Sequence, residues 1–211
     1  MAAMETLQKI IGLDEQIAVL KEEFGTLPKE EQQKALTERF NDMLGALDEN
    51  APVSMGLVRV TEMLLFHGND WTTQLLGKGL GHPNQDVRLL CGDAILHLAE
   101  EGIELIMPVV EDALANGGIL AEEMPFLLTD VDHPDVPRVL ERFLEQDSND
   151  IVAAAIEALA EYGDPSCLAA LEKLKDDART VSVEEDGSKM ADWTIGQLAK
   201  DAVEMLTDKE D

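Results

Sequence analysis

The chain has 211 residues, of which 45% are hydrophobic and 4% aromatic. That is enough apolar material for one large domain or two small ones. Its 44 acidic residues outnumber 16 basic residues and give a formal net charge of −28. This balance argues against a nucleic-acid surface, which relies on Lys and Arg, and it disfavours adhesion to anionic lipid.

The acidity has two interpretations. The simpler one is a solubilising surface, or adaptation to a saline habitat, because net charge bears on solubility and association rather than on fold. The alternative is recognition of a basic protein partner, or mimicry of nucleic acid. We therefore expect a protein partner, with no nucleic-acid partner.

Two cysteines, Cys91 and Cys167, stand apart from any C-x-x-C pair. Both fall at positions that the helical pattern predicts to be buried, so we expect reduced thiols in a cytosolic compartment. The first twelve residues show no signal-peptide pattern, and the apolar runs are far too short for a membrane span. The expected protein is therefore soluble and cytoplasmic, with no membrane partner.

Residues 1–50 predict an N-terminal helical hairpin. One stripe comprises Leu13, Ile17, Leu20 and Phe24, and the next comprises Leu36, Phe40, Met43, Leu44 and Leu47. The turn 25–28 separates the two helices. We interpret the hairpin as a cap for residues 51–211, since terminal repeats must cover the open end of a core. A dimerisation hairpin is the alternative.

Residues 51–211 carry an internal repeat. Two segments have apolar residues at helical offsets 0, 3, 4, 7, 8 and 11: Val87, Leu90, Cys91, Ala94, Ile95 and Leu98, then Ile151, Ala154, Ala155, Ala158, Leu159 and Tyr162. The copies are 64 positions apart, which suggests a helical-hairpin repeat of 32 residues. Weaker copies are then expected at Ile119, Phe126 and Leu127, and at Met55, Val58, Met63 and Phe66.

A second helix follows each repeated one. The predicted stripes are Ile103, Ile106, Met107, Val110 and Leu114, and then Val136, Val139, Leu140, Phe143 and Leu144. Between helices, Gly163 suits a left-handed C-terminal position, Asp164 an N-cap and Pro165 the first helical position. Residues 178–189 interrupt the helical pattern and are predicted to form an exposed, dispensable loop. A last helix is expected from Asp192 to Leu206.

The runs 82–88 and 158–165 resemble halves of the HEAT-type repeat, with an Asp-x-Val-Arg-like helix start and an Ala-Leu…Gly-Asp-Pro turn. The resemblance covers residues 52–206. It implies an all-α fold, an α-α superhelix (HEAT-like α-solenoid), with the domains 1–50 and 51–211. Such a solenoid presents an extended surface to partners, and its second helices line the concave face. The family is functionally broad, so the resemblance indicates architecture more than activity.

Catalytic chemistry has little support in the sequence. The His-Glu ligand pairs of di-iron hydroxylases with this architecture are missing, and nothing transfers the bilin attachment of the phycobilisome lyases that share such repeats. Asp93 and His97 share a helix face with Glu100 and Glu101 nearby, which favours a solvated polar face over a metal site. Neither cysteine has a histidine close in sequence. We therefore expect no catalytic residue, cofactor or metal.

The expected function is non-catalytic: a scaffold or adaptor that holds a protein partner on the groove formed by the second helices. The candidate contact residues are Trp71, Glu104, Glu111, Arg138, Arg142 and Lys173. Local pairing of the cations with Glu141, Glu145 and Glu172 is the competing interpretation. Two other functions stay open: a lyase-like enzyme or enzyme accessory with a HEAT-repeat body, and an acidic inhibitor or immunity protein for a basic partner.

Overall fold

The computed structural model describes the backbone of residues 16–185 and 189–208 and the side chains of residues 16–182 and 191–207. Its described part is mostly helical with one two-stranded sheet, which confirms the all-α class. The chain divides into two compact units, Met1–Gly45 and Ala46–Asp211. The boundary expected from sequence, between residues 50 and 51, lies slightly further along.

The first unit contains helix α1, described over residues 16–25, and helix α2, Lys29–Gly45. The buried residues of α2 repeat every fourth position and are Gln32, Leu36, Phe40 and Leu44. The Gln32 amide donates to the carbonyl oxygens of Gly25 and Leu27, at 3.1 and 2.7 Å, and so fixes the turn between the helices. Leu20 on α1 is 61% exposed. Leu13 lies outside the described residues, and the capping and dimerisation roles stay predictions.

The second unit consists of consecutive helix pairs. Its elements are α3 (Met55–His67), α4 (Asp70–Leu80), α5 (Gln85–Glu101), a 3-10 turn (Ile103–Leu105), α6 (Met107–Asn116), α7 (Gly118–Thr129), α8 (Val136–Phe143), α9 (Asn149–Tyr162), a 3-10 turn (Pro165–Cys167), α10 (Leu168–Glu172), β1 (Thr180–Glu185), β2 (Lys189–Thr194) and α11 (Ile195–Asp208). We call α3, α5, α7, α9 and α11 the first helices and α4, α6, α8 and α10 the second helices. Within the described chain, no helix combines the length and apolarity that crossing a membrane requires.

Polar caps set where the helices begin and end. Ser54 Oγ accepts a hydrogen bond from Leu57 N at 3.2 Å, and Asn84 Oδ1 accepts one from Val87 N at 3.2 Å. The Asn84 amide also donates to the carbonyls of Asp48 and Ala51, both at 2.8 Å, so this buried residue anchors the segment before α3. As predicted, Gly163 ends α9 in the left-handed region and Asp164 caps the next turn by accepting from Ser166 N.

The first helices share one buried face. On each of α3, α5, α7 and α9 this face consists of four positions, at offsets 0, 4, 7 and 8 from its first residue. The first residues are Leu57, Val87, Leu120 and Ile151, and every residue of the four sets except Thr61 is apolar. At the second position, four residues on, stand Thr61, Cys91, Met124 and Ala155. The third position, seven residues on, alternates large and small side chains: Leu64, Ala94, Leu127 and Ala158. Ile195, Ala199, Ala202 and Val203 give α11 the same pattern.

The spacing between these corresponding faces is uneven. Successive starts lie 30, 33 and 31 residues apart, not 32. The expected middle copy at Ile119 and Phe126 was wrong by one residue, and Phe126 is 41% exposed. The expected copy at Met55 and Phe66 was also wrong, since these side chains are 64% and 89% exposed. Loops between helices absorb insertions, so a strict period fails although the helix faces correspond.

The packing order follows this correspondence. Helix α3 packs on α5, α7 on α9 and α9 on α11, while α4 packs on α6. The last contact depends on Gly77, because a Cβ there would overlap the Val109 side chain. The buried positions of α6 and α8 include Val110, Val139 and Leu140, as the sequence predicted.

Residues 178–189 were expected to be a loop, and this was wrong: β1 and β2 form an antiparallel hairpin with Val181 opposite Trp193. Val181 is only 8% exposed, and β1 packs on α9. Arg179 joins the hairpin base to the helices, because it donates to both carboxylate oxygens of Asp177 and to the carbonyl of Gln146. This hydrogen bonding lowers the pKa of Asp177.

The last helix also begins later than expected, at Ile195 instead of Asp192, because β2 continues to Thr194. Thr194 and Gln197 then form a reciprocal cap. Gln197 N donates to Thr194 Oγ1 at 3.0 Å, and Thr194 N donates to Gln197 Oε1 at 2.8 Å.

Enlarging the small third-position residues should destabilise the protein. Ala94 and Ala158 are 6% and 0% exposed, so Ala94→Leu and Ala158→Leu should each lower the free energy of unfolding by about 1–3 kcal/mol through overpacking. Urea denaturation followed by circular dichroism measures this. Ala169→Leu, at an exposed position of α10, is the matched control and should change stability by less than about 0.5 kcal/mol. Unchanged midpoints for both core variants would contradict the assigned register.

The hairpin should contribute to stability. Val181→Ala removes two carbons of a buried side chain on the strand that packs on α9 and should lower the free energy of unfolding by about 1–2.5 kcal/mol. Thr180→Ala, an exposed neighbour on the same strand, should leave it within about 0.5 kcal/mol. Thermal unfolding by calorimetry compares the two. Equal melting temperatures for parent and Val181→Ala would mean that the segment is dispensable after all.

Candidate interaction surface

Two of the six candidate contact residues bind each other. Arg142 on α8 donates from Nη1 and Nη2 to the two carboxylate oxygens of Glu111 on α6, at 2.7 Å each. This bidentate hydrogen bonding lowers the pKa of Glu111 and raises that of Arg142. The direct partner of Arg142 thus lies on the neighbouring second helix, although Glu145 adds a favourable charge interaction. The pair links α8 to α6 by an exposed ion pair.

The other four candidates are not joined to this pair by any described hydrogen bond or ion pair. Arg138 and Lys173 are exposed and make no ion pair with a described residue. The Trp71 ring lies 5.7 Å from the His67 ring, at the junction of α3 and α4. Local pairing does occur nearby, since Lys175 Nζ lies 2.6 Å from Glu172 Oε1.

A groove that the sequence did not indicate lies between the first helices α5 and α7. Its cavity has a volume of about 270 Å³ and an apolar lining of Leu80, Leu89, Leu96, Phe126 and Leu127. Leu89 is 59% exposed and Phe126 41% exposed, so both present apolar surface to solvent. Gly92 adds no side chain and leaves Leu80 and Leu127 as the floor.

An acidic cavity continues this groove. It has a volume of about 620 Å³ and a carboxylate lining of Glu100, Glu101, Glu104, Asp130 and Asp132. Leu96 and Asp130 line both cavities, so the apolar and acidic parts are continuous. We call the whole the α5/α7 groove. It includes Glu104, one of the six candidates expected on the second-helix side.

Arg88 bridges the two walls of the groove at its apolar end. Its Nη1 donates to the carbonyls of His82 and Pro83, at 3.1 and 2.9 Å. Its Nε lies 2.8 Å from Glu123 Oε1 on α7, a charge contact without an aligned N–H. Because three contacts restrain the guanidinium, Arg88 links α5 to α7 in a fixed position.

We find no metal-binding site in the described part of the chain. There, no group of three or more His, Cys, Asp or Glu side chains is arranged to hold an ion. His97 Nδ1 instead lies 3.5 Å from Glu100 Oε2, within the polar face that the sequence indicated.

Both cysteines are buried thiols. Burial raises the pKa of Cys91 to about 12 and that of Cys167 to about 11. Cys167 Sγ also donates to the Asp164 carbonyl at 2.8 Å. Its place near a helix start does not activate it, because the desolvation that raises its pKa outweighs the hydrogen bond from the Cys167 backbone, which lowers the pKa. Near neutral pH both are protonated and poor nucleophiles.

The sequence missed the groove for an identifiable reason. The 32-residue period placed Phe126 in the core, whereas the 33-residue spacing between Val87 and Leu120 turns it outward. The same shift places Glu123 where α5 has Leu90 and α9 has Ala154. A repeat spacing that is allowed to vary predicts Phe126 and Glu123 on the outer face of α7.

Thiol reactivity should be very low in the folded protein. Relative to the ordinary value of 9.0, the raised pKa values imply about 10³-fold less thiolate for Cys91 and about 10²-fold less for Cys167 near pH 8. Ellman's reagent should thus titrate both thiols rapidly in guanidinium chloride and slowly in buffer. Fast native reaction of Cys167, identified with Cys91→Ala, would restore the possibility of a nucleophilic role.

Comparison with known proteins adds no functional information. No protein-family model matches the chain, and no curated protein matches it. Candidate functions must therefore follow from the ion pairs, the thiols and the α5/α7 groove.

Proposed function

We propose that this chain is a non-catalytic interaction module, a scaffold or adaptor whose helix pairs form a HEAT-like α-solenoid and hold a protein partner. The observation that carries the proposal is the recurrence of the same buried positions on successive first helices. Units that repeat in this way stack on their neighbours, and stacked helix pairs expose long surfaces suited to other proteins. The resemblance of residues 82–88 and 158–165 to HEAT repeats supports the same architecture.

The thiols weigh against an enzyme that uses a cysteine nucleophile. A cysteine nucleophile needs a stabilised thiolate, whereas burial raises the pKa of both cysteines. Two free, buried cysteines also suit a reducing compartment, which supports a cytoplasmic location.

The charge distribution supports a basic partner. Residues 51–211 contain 33 acidic and 11 basic residues, against 11 and 5 in residues 1–50, so most of the negative charge lies in residues 51–211. Such a field accelerates encounters with positively charged surfaces. An acidic inhibitor of a basic protein is the second candidate, and the same charge favours it.

The proposal predicts a reconstituted complex. Full-length protein should capture one principal protein from native lysate, and the two purified proteins should form a stoichiometric complex by light scattering. Their association rate should fall as salt rises from about 0.05 to 0.5 M, which shortens the Debye length about threefold, while dissociation changes less. Arg138→Glu with Lys173→Glu tests the second-helix side.

Three other outcomes of these binding experiments would change the proposal. Protein recovered alone, or with only a bound chromophore or metal, would contradict the proposal. Inhibition of a captured nuclease or toxin would favour the second candidate. A salt-insensitive association rate would reduce the acidity to a solubility role and leave apolar contacts to provide recognition.

A further inference from the structure

The α5/α7 groove exists because two first helices stand apart. Helix α7 packs closely on α9, which carries the small residues Ala154 and Ala155. Helices α5 and α7 make no comparable contact. At the position of Ala154, α7 carries Glu123, which reaches Arg88 across the groove. A charged pair needs more room than two small side chains, so the groove stays open.

The open groove presents apolar side chains that no described element covers. Leu89 and Phe126 stand on opposite walls with more than a third of their surface exposed, and Leu96 leads from them to the acidic end. Aromatic and aliphatic side chains at the centre of a concave surface, bordered by polar groups, are typical of protein interaction sites.

Two histidines but no lysine or arginine accompany the carboxylates of the acidic end: His133 lines its cavity, and His97 Nδ1 lies 3.5 Å from Glu100 Oε2. Glu101, Glu104, Asp130 and Asp132 make no ion pair with any described Lys or Arg. Arg88, on α5, is restrained at the opposite end by Glu123 and two carbonyls. Carboxylates gathered around a cavity of about 620 Å³ therefore complement positive charge supplied from outside.

We propose that the α5/α7 groove docks an amphipathic helix of a protein partner, with apolar side chains against Leu89, Leu96 and Phe126 and lysines or arginines at the acidic end. This rests on the proposed interaction function and names the surface and the chemistry of the partner. It differs from the second-helix groove expected from sequence, because its apolar walls are the first helices α5 and α7.

A helix fits this surface better than an extended strand. The apolar walls are α-helices, the acidic end is formed by the turns that follow them, and no strand lines either part, so β-strand addition has no template within the groove. Helix-in-groove binding needs only apolar anchors at helical spacing. At 1.5 Å per residue, the 17 residues of α5 span about 26 Å, so a partner helix of similar length covers the apolar and acidic parts together.

The test uses a designed probe with the full-length protein. The probe is a fluorescein-labelled helical peptide of about 18 residues, with leucines at i, i+3, i+4 and i+7 and lysines or arginines in its last two turns. Fluorescence anisotropy should detect binding. Replacing the basic residues of the probe with glutamate should weaken binding at least about tenfold, because that probe meets like charge at the acidic end.

Paired variants separate the groove from the overall field. Asp130→Lys with Asp132→Lys should weaken binding at least about tenfold. Asp201→Lys with Glu204→Lys, at exposed positions of α11, changes net charge equally and should have an effect of less than about threefold, since it alters only the distant field. Leu89→Ser with Phe126→Ser should weaken binding about tenfold or more, whereas Met205→Ser, 52% exposed on α11, should not.

All substituted side chains are substantially exposed, so unchanged thermal melting should verify that each variant folds. Equal weakening by the α11 charge control, or no effect of the Leu89 and Phe126 changes, would overturn the groove assignment.

The natural complex distinguishes failure of this inference from failure of the proposed function. Loss of the reconstituted partner with the groove variants supports both. If the partner is lost only with the Arg138 and Lys173 variants, the function stands and the groove inference fails. If neither a partner nor the probe binds the parent protein, both fail.

Discussion

The second unit depends on one constraint: its first helices must bury the same narrow face against their neighbours. Leu57, Val87, Leu120 and Ile151 begin that face on four helices, and Ile195 begins it on a fifth. Because residues four, seven and eight positions later share the face, each helix is fixed in rotation about its axis. That rotation determines which side chains each helix exposes, including those that line the grooves.

Small departures from the shared face explain the local differences between repeats. The second position is apolar on α5, α7 and α9, but α3 has Thr61, whose buried hydroxyl finds no hydrogen-bond partner among the described residues. An unsatisfied hydroxyl costs stability, so α3 is the least optimised copy. Glu123 is the larger departure, because it holds α5 and α7 apart through Arg88 where the other interface uses alanines.

The sequence alone was sufficient for the helical class, for the faces of α5 and α9, and for the turn at Gly163 and Asp164. These depend on local periodicity and capping, which neighbouring residues determine. The middle repeat was shifted by one residue because loop length is free to vary. The hairpin was missed because the residues of β2 do not alternate apolar and polar side chains, so its pairing depends on β1 and α9. The α5/α7 groove required tertiary contacts that no local pattern encodes.

The ion pairs within the chain explain why we expect acidic and apolar side chains, and not basic ones, to contact the partner. Arg88, Arg142, Lys175 and Arg179 are each held by a carboxylate of the same chain, so these cations serve mainly to position helices and the hairpin. The carboxylates outnumber them, and no lysine or arginine lines the acidic end of the α5/α7 groove. Unpaired charge beside exposed Leu89 and Phe126 provides long-range attraction and short-range burial at one place. A partner with both basic and apolar side chains gains binding free energy from both kinds of contact, whereas a purely basic or purely apolar partner gains it from only one.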